Sequence, residues 1–301
     1  MPEPQKNGAP PLLRALRPQQ WIKNVLLFVP LLLAHDALDA ARLWKVVLGF
    51  AAFCLVSSAG YVLNDLSDRE ADRLHPRKCK RPFASGELSV RQGVVLFVAL
   101  LASAFGVSAL VGLSFLALPA LYLALQITYS LWLKELLFID VLLLAALYSL
   151  RVFAGAVAAQ VEISQWLLGF SLFMFLSLAF VKRFCELRQL GMRSPDAAPA
   201  RRSYRQEDLG LIQTLGSCAG YLSVLVLALY ISSSDVVRLY ATPQLLWIVC
   251  PVMLYWLTRI WFLAGRGELP DDPLLFAATD PQSYAAGALI VVTGVLASLQ
   301  L

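Results

Sequence analysis

The chain has 301 residues, of which 59% are hydrophobic and 15% are charged, with a mean hydropathy of +0.68 and a formal net charge of +5. Soluble domains have about 45–50% apolar and about 25% charged residues, so this composition excludes an ordinary soluble protein and predicts a chain that is surrounded by lipid. The net charge is small, but the Lys and Arg residues are concentrated in a few segments, and this uneven distribution predicts the topology.

Nine segments are apolar enough for transmembrane helices, which need about 20 mostly apolar residues. They run near residues 21–35, 42–63, 92–111, 114–132, 137–159, 164–181, 209–231, 243–263 and 282–300. The first is the shortest, and it either crosses the bilayer or lies partly in the interface. We therefore predict an all-α polytopic membrane protein with one transmembrane domain at residues 17–301, preceded by a flexible cytoplasmic N-terminus at residues 1–16.

The two most basic loops determine the predicted orientation, because short loops that are rich in Lys and Arg stay in the cytoplasm. These loops are residues 64–91 and 182–208. Placing them inside also places the N-terminus inside, and nine spans then put the C-terminus outside. The predicted location is the inner (cytoplasmic) membrane, with the lipid bilayer as the surrounding medium.

An acidic cluster follows the second predicted span, and its members are Asn64, Asp65, Asp68 and Asp72. Read as a continuing helix, these positions are i, i+1, i+4 and i+8, which share one face, and Tyr61 lies one turn earlier. Three carboxylates on one face repel one another unless a cation lies between them, and Mg²⁺ typically uses one or two carboxylates together with substrate phosphates. We therefore predict a Mg²⁺ site on these four residues, with Asp65, Asp68 and Asp72 catalytic.

The alternative is the ordinary charged end of a membrane helix, in which Arg69 and Arg73 neutralise the carboxylates. That alternative predicts no particular spacing. Downstream, two prolines and a glycine interrupt any helix between residues 75 and 86, so Lys78 and Arg81 are expected to project from a loop beside the carboxylates. Basic groups beside a metal site suit a metal-bridged polyphosphate, whereas contact with anionic lipid headgroups is the other possibility.

The pattern Asn64-Asp65-x-x-Asp68-x-x-x-Asp72 after a second span resembles the UbiA superfamily of membrane prenyltransferases, over essentially the whole chain. Finer patterns resemble its decaprenyl-phosphate phosphoribosyltransferase branch. These patterns are Arg17-Pro-x-Gln-Trp21-x-Lys23-Asn24, His75-Pro-x-Lys78-x-x-Arg81-Pro-x-Ala-Ser-Gly86, Tyr129-x-x-x-x-Lys134…Asp140, Leu-Arg151-x-x-Ala-Gly155 and Asp271-Asp272-Pro273.

The resemblance implies transmembrane helices around a central cavity that opens to the cytoplasmic side. It also implies Mg²⁺-dependent transfer of a 5-phosphoribosyl group from phosphoribosyl diphosphate (PRPP) to a polyprenyl (decaprenyl) phosphate, with release of diphosphate. The product would serve as a lipid precursor of an arabinofuranose donor for the cell envelope. The Asp-rich motif carries over as the site for Mg²⁺ and diphosphate.

One position departs from the superfamily pattern. Typical members have a second acidic motif after the sixth span, but this chain reads Lys182-Arg183-Phe-Cys-Glu186-Leu-Arg188 there. A prenyl diphosphate held by two Mg²⁺ ions calls for two acidic clusters, whereas PRPP with a lipid phosphate brings more anionic groups and favours cations. Positive-inside anchoring is the other explanation for Lys182 and Arg183.

Two other functions remain open at this level. One is a UbiA-type prenyltransferase that moves an isoprenoid from its diphosphate to an aromatic or other acceptor. The other is a non-catalytic transporter, which predicts ionisable residues distributed through the spans, whereas here they collect on one side. No nucleic-acid partner is predicted, and the oligomeric state is left open.

The predicted substrate-binding residues are polar and basic residues near the first span and the acidic cluster, two charged residues of the fifth span with Lys134 before it, and three charged residues after the sixth span. They are Lys23, Asn24, Tyr61, Arg73, Lys78, Arg81, Lys134, Asp140, Arg151, Lys182, Arg183 and Glu186. Asp140 and Arg151 lie about three turns apart, which is too far for direct pairing, so each either contacts substrate or pairs with another helix. No general base is predicted, because a phosphate monoester is already largely ionised near pH 7.

Overall fold

The structure, a computed structural model, describes residues 9–34, 39–74, 78–193, 203–270 and 272–299, and every regular element within these ranges is helical. Eight helices in these ranges are long and apolar enough to cross a membrane. The prediction of an all-α polytopic membrane protein is thus confirmed. By its internal packing the chain divides into two compact units, Met1–Ser130 with Phe153–Glu162, and Leu131–Val152 with Ile163–Leu301. His75 and Asp271 of the motifs above lie outside the described residues.

The first unit contains short elements followed by long helices. These are α1 (Pro11–Leu16), a 3-10 helix (Pro18–Phe28), α2 (Val29–Leu33), α3 (Ala40–Ser67), α4 (Arg69–Arg73), a 3-10 helix (Lys78–Lys80), α5 (Pro82–Ser85), α6 (Val90–Val111), α7 (Leu113–Leu131) and the second half of α8 (Ile139–Ala159). Helix α3 packs along α6, and Phe83 of α5 and Ala15 of α1 are buried against the same core. Short elements therefore cover one part of the long helices, and this is where the acidic cluster lies.

Local sequence signals explain where the long helices of this unit begin. The Asp39 side chain accepts hydrogen bonds from the backbone N–H groups of Ala41 and Arg42, which would otherwise lack partners at the start of α3. Ser89 and Gln92 form a reciprocal capping box at the start of α6. With 28 residues, α3 is about 42 Å long, which exceeds the roughly 30 Å hydrocarbon core of a bilayer. One end of α3 therefore reaches beyond the hydrocarbon.

The first predicted span differs from the expectation, because it is not one of the eight membrane-length helices of the described chain. It consists of the 3-10 helix Pro18–Phe28 followed directly by α2. A 3-10 helix rises about 2.0 Å per residue, so its 11 residues and the 5 of α2 together extend about 30 Å. Residues 18–33 are therefore long enough to cross the hydrocarbon core of a bilayer. That they form a ninth span stays a prediction.

Gly155 allows α8 to approach this 3-10 helix closely. A Cβ added at Gly155 would lie 2.0 Å from the backbone oxygen of Leu27. Only a residue without a side chain fits there, so the glycine of the Leu-Arg151-x-x-Ala-Gly155 pattern is explained by packing within the first unit.

The second unit is built around long, mutually packed helices. Its elements are a 3-10 helix (Leu133–Glu135), the first half of α8, α9 (Gln165–Arg193), a 3-10 helix (Gln206–Asp208), α10 (Leu209–Ile231), α11 (Ser234–Leu239), a 3-10 helix (Pro243–Ile248), α12 (Val249–Arg266), α13 (Pro273–Ala277) and α14 (Pro281–Ser298). Helix α10 packs against both α9 and α12. At Gly216 of α10 the Trp261 ring fills the space that a side chain would need, and its Nε1 donates to Ser177 Oγ at 3.1 Å.

Helix α9 is longer than the predicted sixth span. The hydropathy pattern predicts a span that ends near residue 181, whereas the helix continues to Arg193. Lys182, Arg183 and Glu186 therefore lie on an ordered helix and not in a loop, because Phe184, Cys185 and Leu187 between and beside them are buried and continue the packed face.

Candidate active site

Two of the predicted catalytic carboxylates meet at one arginine. Asp65 lies in the last turns of α3 and Asp72 lies in α4, and both side chains are buried. Arg81 Nη1 donates to Asp65 Oδ1 at 3.1 Å and to Asp72 Oδ2 at 2.6 Å. Arg17 Nη2 donates to the same oxygen of Asp65 at 2.6 Å. The two carboxylates share a face as expected, and in this structure two guanidinium groups neutralise them.

The predicted continuous helix is wrong at Asp68, where α3 ends and α4 begins. The helical spacing nevertheless persists, because the Asp68 N–H donates to the Asn64 carbonyl oxygen at 2.9 Å and the Asp72 N–H donates to the Asp68 carbonyl oxygen at 2.8 Å. Asp65 and Asp72 are therefore still brought to one side of the chain.

Asp68 has different surroundings from its two neighbours. Its side chain is half-buried, and it makes no hydrogen bond or ion pair with the part of the chain that the structure describes. Asn64, one turn earlier, accepts a hydrogen bond from Ser130 Oγ through its Oδ1 at 2.7 Å. Within the described ranges no three His, Cys, Asp or Glu side chains are grouped as metal ligands, so the three predicted carboxylates do not converge on one point.

Arg69 and Arg73 do not neutralise the aspartates. Both pair with the exposed Glu70, and the Arg69 hydrogen bond, followed by the charge of Arg73, holds the pKa of Glu70 below its usual value. Arg73 Nε also donates to the carbonyl oxygen of Ala84 at 3.2 Å. Arg73, a predicted substrate contact, therefore connects α4 to α5, and the charged-helix-end alternative does not explain what surrounds Asp65.

The N-terminal 3-10 helix packs its polar residues against α3. Lys23 and Asn24, two predicted substrate contacts, are buried, and Asn24 Nδ2 donates to Ser57 Oγ at 3.4 Å. Trp21 Nε1 donates to Ser58 Oγ at 2.9 Å. Trp21 and Asn24 of the Trp21-x-Lys23-Asn24 pattern thus attach this helix to α3. Lys78 is exposed at the start of its own 3-10 helix.

Arg17 is a site residue that the sequence patterns do not assign. It lies between α1 and the 3-10 helix with a left-handed backbone (φ 51°), which is uncommon for a residue with a side chain. Its guanidinium lies over the ring of Tyr61, 5.1 Å from the centroid, while it pairs with Asp65. The Arg17-Pro motif is visible in the sequence, but nothing local indicates a contact 48 positions further along.

The second unit contains a separate charged cluster. Arg183 is fully buried, and its guanidinium donates to one carboxylate oxygen of Asp140 and to Glu186. Tyr204 Oη donates to the other oxygen of Asp140 at 2.7 Å. Asp140 is therefore a structural partner of α9, which is one of the two roles left open for it.

The remaining predicted residues of this unit are basic. Lys134 and Lys182 are half-buried, and neither side chain has a hydrogen-bond or ion-pair partner among the described residues. Arg151 is buried within α8, where its Nη1 donates to the Leu147 carbonyl oxygen at 2.6 Å and its guanidinium lies 5.4 Å from the Tyr148 ring centroid. Both lysines are thus available to an anionic ligand, as far as the described residues show.

Comparison with known proteins identifies the family. Residues 25–279 match the UbiA prenyltransferase family. The chain belongs to this family. Nodulation protein NoeC of Azorhizobium caulinodans is 40% identical over 274 residues, which cover 89% of this chain and 87% of that protein. Decaprenyl-phosphate phosphoribosyltransferase of Corynebacterium glutamicum is 37% identical over 225 residues, which cover 73% of this chain and 68% of that enzyme.

A further relative is longer than this chain. The uncharacterized protein y4nM of Sinorhizobium fredii is 38% identical over 286 residues, or 95% of this chain, and this chain spans 55% of its length. Among solved structures, a UbiA homologue from Archaeoglobus fulgidus bound to GPP and Mg²⁺ superposes with a TM-score of 0.72 and 17% identity, covering 95% of this chain and 99% of that one. At that identity the similarity shows the fold alone, which is the UbiA fold. The family match, together with eight membrane-length apolar helices in the described chain, shows an integral membrane protein.

Proposed function

We propose that this UbiA-family transferase moves a 5-phosphoribosyl group from PRPP to a polyprenyl phosphate and releases diphosphate. The observation that carries the proposal is how the charged side chains around Arg183 in the second unit are paired. In the charged cluster around Arg183, Asp140 and Glu186 are both paired with that arginine, whereas Lys134 and Lys182 have no hydrogen-bond or ion-pair partner among the described residues. Such a cluster favours a second phosphate group over a second metal ion. The identity to the Corynebacterium enzyme supports the same assignment.

The acidic cluster of the first unit is the proposed donor site. Mg²⁺ usually takes one or two carboxylates and completes its octahedron with water and substrate phosphates. Asp68, which is partly exposed and has no partner among the described residues, with Asn64 one turn earlier, fits that requirement. Asp65 and Asp72 are the further proposed ligands, and each would have to exchange its arginine partner for the metal when the donor binds. A bound Mg²⁺ would neutralise negative charge on the departing diphosphate.

The basic residues of the first unit have a defined task in this proposal. Arg17 and Arg81 are 19% and 24% exposed at their side chains, so they are accessible while they hold Asp65. Each presents several N–H donors, and Arg is suited to bidentate binding of phosphate oxygens. We expect both to bind the diphosphate of the donor, with Lys23, Lys78 and Tyr61 as additional proposed contacts.

The reaction needs no protein base. An oxygen of the lipid phosphate attacks C1 of the ribose while the bond from C1 to the diphosphate oxygen breaks, and the electron pair leaves with the diphosphate. The second pKa of a phosphate monoester is about 6, so the nucleophilic oxygen is already largely ionised at neutral pH. Lys134 and Lys182 are the cations proposed for the acceptor phosphate. The protein then acts by positioning and by charge stabilisation.

A donor assay tests the proposal. Purified protein in lipid nanodiscs receives Mg²⁺, a polyprenyl phosphate and PRPP that is labelled in the ribose. We expect a labelled, solvent-extractable lipid and one equivalent of diphosphate for each ribose transferred. Geranyl diphosphate with an aromatic acceptor is run in parallel, because transfer from that donor alone would contradict the proposal and support a prenyltransferase. Absence of transfer from either donor would instead favour a transporter.

A further inference from the structure

A short segment of the second unit connects the two places where the available lysines lie. We call residues 203–206 the clasp. Ser203 Oγ donates to the carbonyl oxygen of Glu135, next to Lys134. Gln206 Nε2 donates to the carbonyl oxygen of Leu187 on α9 at 2.7 Å. The clasp therefore contacts the turn that carries Lys134 and also α9 at Leu187, five residues after Lys182.

Tyr204 is the central residue of the clasp. Its ring is buried, and its hydroxyl accepts a hydrogen bond from the Phe138 N–H at 3.1 Å while it donates to Asp140 Oδ1 at 2.7 Å. Phe138 has a left-handed backbone (φ 68°), which an aromatic residue adopts only where the surrounding structure holds it. Burial, and secondly the bond to Asp140, raises the pKa of Tyr204, so the hydroxyl remains a proton donor at neutral pH.

The hydroxyl also acts on α9 through Asp140. Asp140 has two carboxylate oxygens, of which one accepts from Tyr204 and the other accepts from Arg183. Without the Tyr204 hydroxyl, the carboxylate would lose the hydrogen bond at Oδ1 that helps to orient it toward Arg183, the neighbour of Lys182. One hydroxyl group thus helps to fix both the turn at residues 133–139 and the turn of α9 that contains Lys182 and Arg183.

Packing at Gly191 supports an ordered clasp. A Cβ added at Gly191 of α9 would lie 2.6 Å from the Gln206 side-chain oxygen, so the amide of Gln206 occupies space that only a glycine leaves open. The following residues continue into a 3-10 helix, where the Arg205 N–H donates to Asp208 Oδ2 at 2.7 Å. The clasp is therefore anchored on both sides of Tyr204.

We propose that Tyr204 is a positioning residue that holds Lys134 and Lys182 in place for the phosphate groups of the substrates. The inference rests on the proposed function, in which these lysines bind phosphate. Tyr204 itself contacts no substrate in this proposal. Its hydroxyl acts through the backbone of Phe138 and through the Asp140–Arg183 pair.

The test is a Tyr204→Phe variant, which keeps the ring and removes only the hydroxyl. Losing one hydrogen bond to a charged group changes an equilibrium constant by roughly tenfold or more. We expect kcat/KM for the polyprenyl phosphate to fall about tenfold, mainly through KM. The unfolding midpoint should also fall, because the buried Asp140 Oδ1 and the Phe138 N–H both lose the hydroxyl. Tyr240→Phe, which alters another buried tyrosine of the same unit, is the matched control and should keep wild-type kinetics.

A double-mutant cycle separates positioning from a general loss of structure. If Tyr204 acts through the turn at residues 133–139, adding Lys134→Gln to Tyr204→Phe should cost much less than Lys134→Gln costs alone, because the lysine is already misplaced. Fully additive losses, or wild-type kinetics in Tyr204→Phe, would overturn the proposal. Ser203→Ala, a milder change in the clasp, should shift KM in the same direction if Tyr204→Phe does not yield folded protein, and an unchanged KM there would also overturn it.

Hydrogen exchange tests the clasp independently of the donor. Peptides that span residues 133–140 should exchange faster in Tyr204→Phe than in the wild type, because the Phe138 amide loses its acceptor. Unchanged exchange would contradict the clasp. If the wild type does not use PRPP, the proposed function fails, and the same kinetic cycle is run with whichever donor the wild type accepts, so the two failures are distinguished.

Discussion

Asp65 and Asp68 are three positions apart and have opposite surroundings. Asp65 is buried and receives hydrogen bonds from both Arg17 and Arg81, whereas Asp68 is half-buried and has no partner within the described chain. A buried charge that loses its partners costs about 3–5 kcal/mol, so the Asp65 network contributes to stability as well as to any chemistry. An unpaired carboxylate contributes little to stability and is the more direct candidate for a metal ligand.

This difference leads to a prediction for Asp68→Asn. The substitution keeps the shape of the side chain and removes the charge, so we expect turnover to fall at least about 100-fold while the unfolding midpoint stays within experimental error of the wild type. The measurement is Mg²⁺-dependent turnover per amount of folded protein, with the midpoint from the same preparation. Glu70→Gln is the control, because Glu70 is an exposed acid two residues away that pairs only with Arg69 and Arg73 among the described residues.

Asp65→Asn should behave differently from Asp68→Asn. It leaves Arg17 and Arg81 with less negative charge beside them, and we expect destabilisation of about 3 kcal/mol, near the lower end for buried pairs because both arginines are partly exposed. A lower unfolding midpoint together with lost turnover is the expected result. Equal midpoints for the two variants would contradict the distinction between Asp65 and Asp68.

At the scale of elements, a close approach inside the first unit depends on one glycine. The 3-10 helix Pro18–Phe28 carries Lys23 and Asn24, and its backbone at Leu27 contacts α8 where Gly155 has no side chain. Because the obstructing atoms are backbone, they cannot move aside by a side-chain rotation. The position of the N-terminal helix, and hence of Arg17 beside Asp65, therefore depends on Gly155.

We predict that Gly155→Ala destabilises the protein. Overpacking a well-packed site typically costs about 1–3 kcal/mol, and we expect a lower unfolding midpoint and a weaker affinity for diphosphate. Gly106→Ala in α6 is the control, since a Cβ at that position meets nothing within 4 Å and alanine is the better helix former. The outcome that speaks against this packing role is a Gly155→Ala protein at least as stable as Gly106→Ala.

Several elements were predictable because their causes are local. The long apolar helices, the capping residue Asp39 and the Ser89–Gln92 capping box follow from hydropathy and from short-range hydrogen bonding. The continuation of α9 to Arg193 was not predictable from hydropathy, because it depends on the burial of apolar residues beyond the predicted span.

At the scale of the whole molecule, the number of spans decides on which side the C-terminus lies. The charge distribution places the basic loops inside, and nine spans then place the termini on opposite sides. The described helices include eight of membrane length, and the segment of residues 18–33 is long enough to be the ninth only because most of it is a 3-10 helix.

We predict that this segment crosses the membrane. Alkaline phosphatase fused after residue 301 should then be active, because that enzyme functions only outside the cytoplasm, while green fluorescent protein fused after Arg266, the end of α12, should fluoresce inside. An N-terminal fluorescent fusion marks the starting side. Finding both termini in the cytoplasm would contradict nine spans and would leave residues 18–33 in the interface.

Composition and periodicity determine the lipid surroundings, the approximate spans, the basic loops and the shared face of Asp65 and Asp72, because each of these depends on residues that are close in the chain. Packing in three dimensions decides which cations neutralise which acids. Arg17 reaches Asp65 across 48 positions and Arg183 reaches Asp140 across 43, so no local pattern records either pair. The acidic cluster is therefore readable as a motif, while the separation of Asp68 from its paired neighbours and the role of Tyr204 arise only when distant helices pack together.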